Sequence, residues 1–341
     1  MLTAKQYSQI RDELDSCKDP LFFFHDDPDG LCSYLLLYRY KGEGKGVIVK
    51  TNPRIDETWL RRVEEYYPDK LFILDIAMVD QDFIDNCKVP IVWIDHHGPY
   101  QRDRIRYFNP RSNDAASSPP VSYICYKVVE EDIWISMAGC ISDMYLPDFA
   151  DEFRNKYPGM LPEGVTAREA QFNSKIGRLA RILSFMLKGT TSDAMKFARL
   201  MHKIKSPSEI MDKETITGDK IMRRFEQVEK EYQELLKEAK SRATEDSVLL
   251  YIYPNSRNSF TGDLANELVY NFPEKIIVIG RENGGEFKLS LRSDRHNLPA
   301  LIETSLTGLQ GYGGGHEHAA GAVVKSDDFP KFLENLRKHA L

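Results

Sequence analysis

Nothing in this sequence supports a disulfide framework. Its five cysteines, Cys17, Cys32, Cys87, Cys125 and Cys140, are odd in number and form no Cys-x-x-Cys pair. A cysteine zinc site is therefore not indicated either, and a reducing compartment fits best. No apolar run approaches the roughly 18–20 residues of a membrane span, and no signal-peptide pattern opens the chain. A cytoplasmic protein with no membrane partner is expected. Positive charge is not in excess: the formal net charge is −6. That argues against a duplex-DNA binder that is basic all over, while leaving room for a local basic channel. Low-complexity tracts and internal repeats are missing as well.

What is present is ample material for a core. Of 341 residues, 42% are hydrophobic, with 17 Phe and 17 Tyr, a length that suggests two domains or two plus a connector. Short apolar runs at 21–25, 46–50, 71–75, 89–95 and 104–109 alternate with helical patterns at 3–14, 31–40, 56–66, 80–86, 119–130 and 132–143. This alternation predicts an α/β fold with a parallel, helix-covered sheet.

Three of those runs end abruptly in polar residues. Leu21-Phe22-Phe23-Phe24 runs into His25-Asp26-Asp27-Pro28-Asp29-Gly30, Leu71-Phe72-Ile73-Leu74 into Asp75, and Val92-Trp93-Ile94 into Asp95-His96-His97. A lone Asp after a strand is most often a turn or helix-capping residue. Three such ends in one parallel sheet instead converge on one crevice. His25, Asp27, Asp29, Asp75, Asp95, His96 and His97 would then share a site with more carboxylate than it can hold without cations. A mixed His/Asp set suits Mn2+, with Mg2+, Co2+ or Zn2+ as competitors, and a two-metal site is the usual apparatus for phosphoester hydrolysis.

Residues 165–243 read as almost wholly helical. The stretch 168–205 carries nine Lys/Arg against two Asp/Glu. It is either a solvated helical surface or a patch that tracks a nucleic-acid strand. Residues 219–240 form an amphipathic helix taken as a connector. Beyond Ser247, strands are expected at 248–253, 276–279 and 286–291 and a helix at 262–270.

The motifs His25-x-Asp27-x-Asp29-Gly30-x-x-Ser33, Asp75, Asp95-His96-His97 and Gly139-x-x-x-Asp143 resemble the four motifs of the DHH phosphoesterases. The segment Gly313-Gly314-Gly315-His316-x-x-Ala319-Ala320-Gly321 is similar to the signature of the companion DHHA1 domain. The first motif is nearer the RecJ-type form than the nanoRNase form, since Leu31 stands where the latter has a second Asp. Met144 departs from the Thr that often follows the fourth motif's Asp. The resemblance implies a two-lobed α/β protein: a DHH catalytic domain at 1–205, a helical connector at 206–245 and a smaller α/β DHHA1 domain at 246–341. It implies metal ligation by His25, Asp27, Asp29, Asp75, His96 and Asp143, with Asp75 bridging. Asp95 would ligate or orient His96, and His97 would face the scissile phosphate.

Three glycines let a backbone approach a ligand closely, although a flexible hinge reads equally from Gly313–Gly315 alone. In a strand, Ser290 and Arg292 face one side, and Arg suits phosphate. The family pattern has both segments grip substrate phosphate, so Arg292, Ser290, Gly313, Gly314, Gly315 and His316 are the expected binders. Tyr312 and His318 are as consistent with local packing as with base stacking.

The expected activity is metal-dependent hydrolysis of phosphodiesters with two ions, Mn2+ first and Mg2+ or Co2+ as alternatives. The first reading is an exonuclease on single-stranded DNA or RNA. The second is a nanoRNase or a phosphodiesterase for linear or cyclic dinucleotides, acting on short oligonucleotides. The third is an inactive replication scaffold, disfavoured because no ligand is missing. Polarity and oligomeric state stay open, a homodimer included.

Overall fold

The computed structural model describes residues 1–50, 54–254 and 258–340; residue 341, the expected end of the third segment, lies outside them. Helix α1 (Ala4–Ser16) starts in a capping box between Thr3 and Gln6. It is followed by β1 (Pro20–His25), α2 (Pro28–Lys41), β2 (Lys45–Val49), β3 (Arg54–Ile55), α3 (Leu60–Tyr66), β4 (Lys70–Leu74) and β5 (Met78–Val79). Then come α4 (Gln81–Asn86), β6 (Ile91–Ile94), β7 (Arg106–Phe108), α5 (Val121–Val129) and α6 (Ile133–Ser142). The next stretch is helical: α7 (Ala150–Lys156), α8 (Ala167–Asn173), α9 (Lys175–Met186), α10 (Thr191–Met201), α11 (Pro207–Met211) and α12 (Ile216–Ser241). The last part holds β8 (Val248–Ile252), α13 (Thr261–Asn271), β9 (Ile276–Asn283), β10 (Glu286–Arg292), α14 (Leu298–Ser305), β11 (Gly311–His316), β12 (Ala319–Lys325) and α15 (Phe329–His339). The chain divides into two units, Met1–Phe225 and Glu226–Leu341, and the division falls inside α12.

The first unit is built on a parallel sheet of order β2-β1-β4-β6-β7. Its central strands are apolar on both faces, as a helix-covered parallel sheet requires. Leu21, Phe23, Leu71, Ile73 and Trp93 pack with Val63, Phe83 and Ile84 of α3 and α4. On the opposite face, Phe22 lies 5.3 Å from Phe72, and Phe24 stacks at 4.5 Å on Tyr34 of α2. The chain leaves β1 for β2 on one side and later returns to β4 on the other. The carboxyl ends of β1 and β4 therefore flank a topological switch point, where open α/β sheets place their ligand crevice.

The second unit has a mixed sheet of order β11-β12-β10-β9-β8, antiparallel except for β8 beside β9. Val278, Leu289, Leu291, Ala322 and Val324 pack with Leu298 and Ile302 of α14 and Phe332 and Leu336 of α15. The α/β class expected from the sequence is the observed one.

Two local expectations change. Helix α2 begins at Pro28, not at 31, because Asp27 is its N-cap and Pro28 fits its first position. Asp29 thus sits in the first helical turn and not in a preceding loop. Gly313–Gly315 is not a loop either: it lies within β11, an edge strand paired on one side with β12. Among the described residues, no helix is long and apolar enough to cross a membrane.

Candidate metal centre

Asp75 is the structural centre of the site. It follows β4 directly, and its backbone sits at φ +58°, a left-handed conformation that Asp tolerates better than most residues. Its N–H donates to the Ile94 carbonyl at 3.0 Å, which fixes the turn. The side chain is 1% exposed, yet among the described residues neither carboxylate oxygen has a hydrogen-bond partner. Three imidazoles surround it instead: His25 Nδ1 and His96 Nε2 at 3.4 Å and His97 Nδ1 at 3.9 Å.

The first motif is shaped by packing as well as by chemistry. Asp27 accepts from the Gly30 N–H at 2.9 Å and meets His25 Nδ1 at 2.8 Å. A Cβ at Gly30 would lie 2.6 Å from the His25 carbonyl oxygen, so only glycine lets α2 start this close to β1. Asp29 is fully buried and accepts from the Val121 N–H at 2.7 Å, the Ser122 N–H at 2.8 Å and the Ser122 hydroxyl at 2.5 Å. It therefore caps the positive end of α5 while facing His96 and Asp143. Asp143 is the C-cap of α6, with Oδ2 3.6 Å from His96 Nε2. A Cβ at Gly139 would strike the Ser122 side chain, so this glycine keeps α6 against α5.

The donor atoms form three overlapping groups, each within 4.8 Å: His25, Asp27 and Asp75; Asp75, His96 and His97; and Asp29, His96 and Asp143. Asp75 and His96 each belong to two of them. A buried carboxylate among imidazoles and further carboxylates is a donor set that could bind a metal ion.

Electrostatics tells the same story. Burial pushes Asp75 upward, but the flanking imidazoles of His25 and His96 outweigh it and hold the carboxyl well below its usual range. Burial, then the Asp75 charge, pushes Asp29 up to about 7. Enclosure and the neighbouring Asp29 also raise Asp143, although its side chain is 27% exposed. For the imidazoles burial works downward and loses. Asp27 and Asp75 lift His25, while Asp75 and Asp143 lift His96, both well above the ordinary value.

Asp95 does not join this cluster. Expected from the sequence to ligate or orient His96, it instead bonds His97, through Nδ1 at 2.8 Å and the backbone N–H at 3.1 Å. It also accepts from the Tyr107 hydroxyl at 3.4 Å and Asn109 Nδ2 at 3.3 Å. Its direction follows from geometry: Asp95 is fully buried beside β7, whose Tyr107 and following Asn109 supply the donors. His97, 30% exposed, is thereby held by one ring nitrogen and keeps Nε2 for another partner. Sequence reasoning missed Ser122, Tyr107 and Asn109, none of which carries a motif. It also missed Lys50, whose Nζ joins Asp26 at 3.4 Å to the Leu187 carbonyl at 2.7 Å.

The second unit holds the remaining expected residues. Ser290 and Arg292 share the face of β10 opposite the buried Leu289 and Leu291. Arg292 Nε donates to Asn266 of α13 at 2.6 Å and Nη1 to the Leu291 carbonyl at 2.8 Å. Asn266 is a further residue that the sequence did not reveal. The edge strand β11, with Gly313, Gly314, Gly315 and His316, is exposed along its whole length. A Cβ at Gly313 would meet Ile302 at 2.7 Å and one at Gly314 nothing within 4 Å, while Gly315 has φ +143°. His318 is engaged locally, with Nδ1 3.0 Å from the Ser293 carbonyl oxygen.

Comparison with family models matches residues 21–146 to the DHH family N-terminal domain and residues 246–340 to the DHHA1 domain. Comparison with curated proteins gives no match. Among solved structures, the fold is similar to RecJ from Thermus thermophilus in complex with Mn2+, with a TM-score of 0.70 at 15% identity over 98% of this chain. The chain spans 54% of the length of that RecJ. An exonuclease RecJ bound to manganese gives a TM-score of 0.65 at 14% identity, over 98% of this chain and 93% of that one. A pGpG-specific phosphodiesterase, PggH from Vibrio cholerae, gives 0.52 at 13% identity, over 95% of this chain and 99% of that one.

Proposed function

Since the chain belongs to the DHH/DHHA1 phosphoesterase family, we propose that it is a metal-dependent phosphodiesterase that trims single-stranded nucleic acid from an end. The observation that carries this reading is Asp75, a buried carboxylate set among His25, His96 and His97 and, among the described residues, without a hydrogen-bond partner. His25, Asp27, Asp29, Asp75, His96 and Asp143 would hold two divalent ions, Mn2+ first. Such ions offset the charge of a phosphodiester and make water nucleophilic at neutral pH.

The remaining roles belong to the chain's own side chains. Asp95 accepts from His97 Nδ1–H, and although burial works against it, the Asp95 carboxylate raises the imidazole's affinity for a second proton; the Nε2–H of that imidazolium would donate to a phosphoryl oxygen where charge develops. Asn109 and Tyr107 keep Asp95 in place. In the second unit, Arg292, braced by Asn266, would pair with a substrate phosphate through its remaining guanidinium nitrogen. Ser290, His316 and the backbone N–H groups around Gly314 would line the same phosphate-binding surface. We assign chemistry to residues 1–205 and substrate binding to residues 246–340.

A second reading, hydrolysis of dinucleotides such as pGpG, draws on the neighbour with that activity and uses the same groups. End-labelled DNA and RNA from two to about forty nucleotides, incubated with Mn2+, separates the two. Stepwise shortening of long strands supports the exonuclease, cleavage of dinucleotides alone supports the second reading, and no cleavage of either rejects both.

A further inference from the structure

The loop between His97 and β7 carries an exposed aromatic ring that the hydrolytic groups do not use. Tyr100 is 38% exposed, and the guanidinium of Arg102 lies over its ring, 5.0 Å from the centroid. Arg102 is itself fixed, donating from Nε to the Val79 carbonyl at 2.7 Å and from Nη1 to the Gln101 carbonyl at 3.0 Å. The Asp103 N–H donates to the Gln81 side chain at 3.1 Å. Val79 and Gln81 belong to the segment that follows Asp75, so the loop is tied down along the carboxyl-end rim of the sheet.

A ring held this way is preorganised. An anchored cation lies over the ring, the loop that carries it is tied to Val79 and Gln81, and part of the ring stays in solvent. Stacking a flat ligand on such a ring costs little side-chain ordering. Tyr100 is three residues from His97, so their Cα atoms lie no more than about 11 Å apart, a gap that one nucleotide bridges. Base stacking on an aromatic side chain is sequence-tolerant, which suits an enzyme that accepts any strand. We propose that Tyr100 is the platform on which the nucleobase beside the scissile phosphate stacks. This assignment rests on the reading of His97 as the residue facing that phosphate.

The test pairs a binding signal with turnover. A short single-stranded oligonucleotide carrying 2-aminopurine at its terminal position is titrated with the full chain without added metal. Its KM, and that of an abasic counterpart, are then measured with Mn2+. The wild type should quench the 2-aminopurine and prefer the base-bearing strand. Tyr100→Ala should lose the quenching, raise KM for that strand by roughly 5- to 150-fold and erase the preference; Tyr100→Phe should restore all three. Retained quenching in Tyr100→Ala, or an equal rise in KM for the abasic strand, would overturn the assignment. Tyr100-dependent quenching without hydrolysis would remove the catalytic reading and leave the stacking platform standing.

Discussion

The Nδ1 of His97 lies 2.8 Å from Oδ1 of Asp95, two residues before it in the chain. Alternation along the chain leaving β6 puts Asp95 and His97, two residues apart, on one side, while His96, between them, faces Asp75. The Asp-His-His sequence thus gives one imidazole, His96, shared by two donor groups, and a carboxylate–imidazole pair whose imidazole borders one of them.

That division predicts separable kinetics. Asp95→Asn should keep the packing with Tyr107 and Asn109 but lower kcat by about 10- to 100-fold, the usual cost of removing a partner that orients an active-site imidazole. His97→Ala should lower kcat much more than it raises KM, because its contact strengthens in the transition state. Steady-state kinetics on a dinucleotide decides; a change confined to KM in either variant would make the pair a ground-state binder.

Backbone conformation at Asp75 gives a stability prediction. Asparagine tolerates the left-handed region, whereas alanine at φ +58° costs about 1–2 kcal/mol. Thermal melts in chelator should therefore rank Asp75→Asn above Asp75→Ala in Tm. Equal melting temperatures would show that the turn relaxes when the side chain is changed.

Metal-linked stability should depend on pH in a set direction. Asp29 is raised to about 7, so the folded state without metal binds a proton more tightly than the unfolded one. Its share of stability is present at acid pH and is lost as pH rises from about 4 through 7. The raised His25 and His96 act in the same sense, keeping stability below the ordinary histidine range and losing it as pH rises through their higher folded values. Cations replace those protons. The rise in Tm on adding Mn2+ should accordingly be larger at pH 8 than at pH 5.5, and a rise that does not depend on pH would count against these ligands.

In the second unit, Arg292→Ala should raise KM for a dinucleotide by roughly 10- to 150-fold, the scale of a lost hydrogen bond to a charged group. Arg292→Lys should not rescue it, since Lys lacks the planar fork. Asn266→Ala should reproduce part of the effect by releasing Arg292 Nε. Gly314→Val should weaken binding without unfolding, because nothing lies within 4 Å of its Cβ, whereas Gly313→Val should destabilise against Ile302. The control is bis-p-nitrophenyl phosphate, whose hydrolysis should suffer less; proportional losses on both substrates would point to a role in folding.

The strand ends were legible because apolar runs that stop at His25, Asp75 and Asp95 leave little choice of reading. Partners across the fold were not. Asn266 precedes Arg292 by 26 residues and has no sequence sign that it braces a guanidinium. Ser122 looks like any helix-start serine until the α5 N-terminus is seen to receive Asp29. The stretch Gly313–Gly315 reads as a hinge or loop because glycine disfavours strands; pairing with β12 overrides that preference. Helix α15 was legible but unread: Phe329, Phe332, Leu333 and Leu336 repeat at helical spacing.

The most direct test of the metal centre combines Mn2+ titration, followed by the paramagnetic signal of the free ion, with hydrolysis of an end-labelled single strand. Both are measured for the wild type and Asp75→Asn. The wild type should bind two ions per chain and cleave only when they are present, and Asp75→Asn should lose the ions and the cleavage together while remaining folded. Cleavage by metal-stripped protein in chelator, or full activity in Asp75→Asn, would contradict the account.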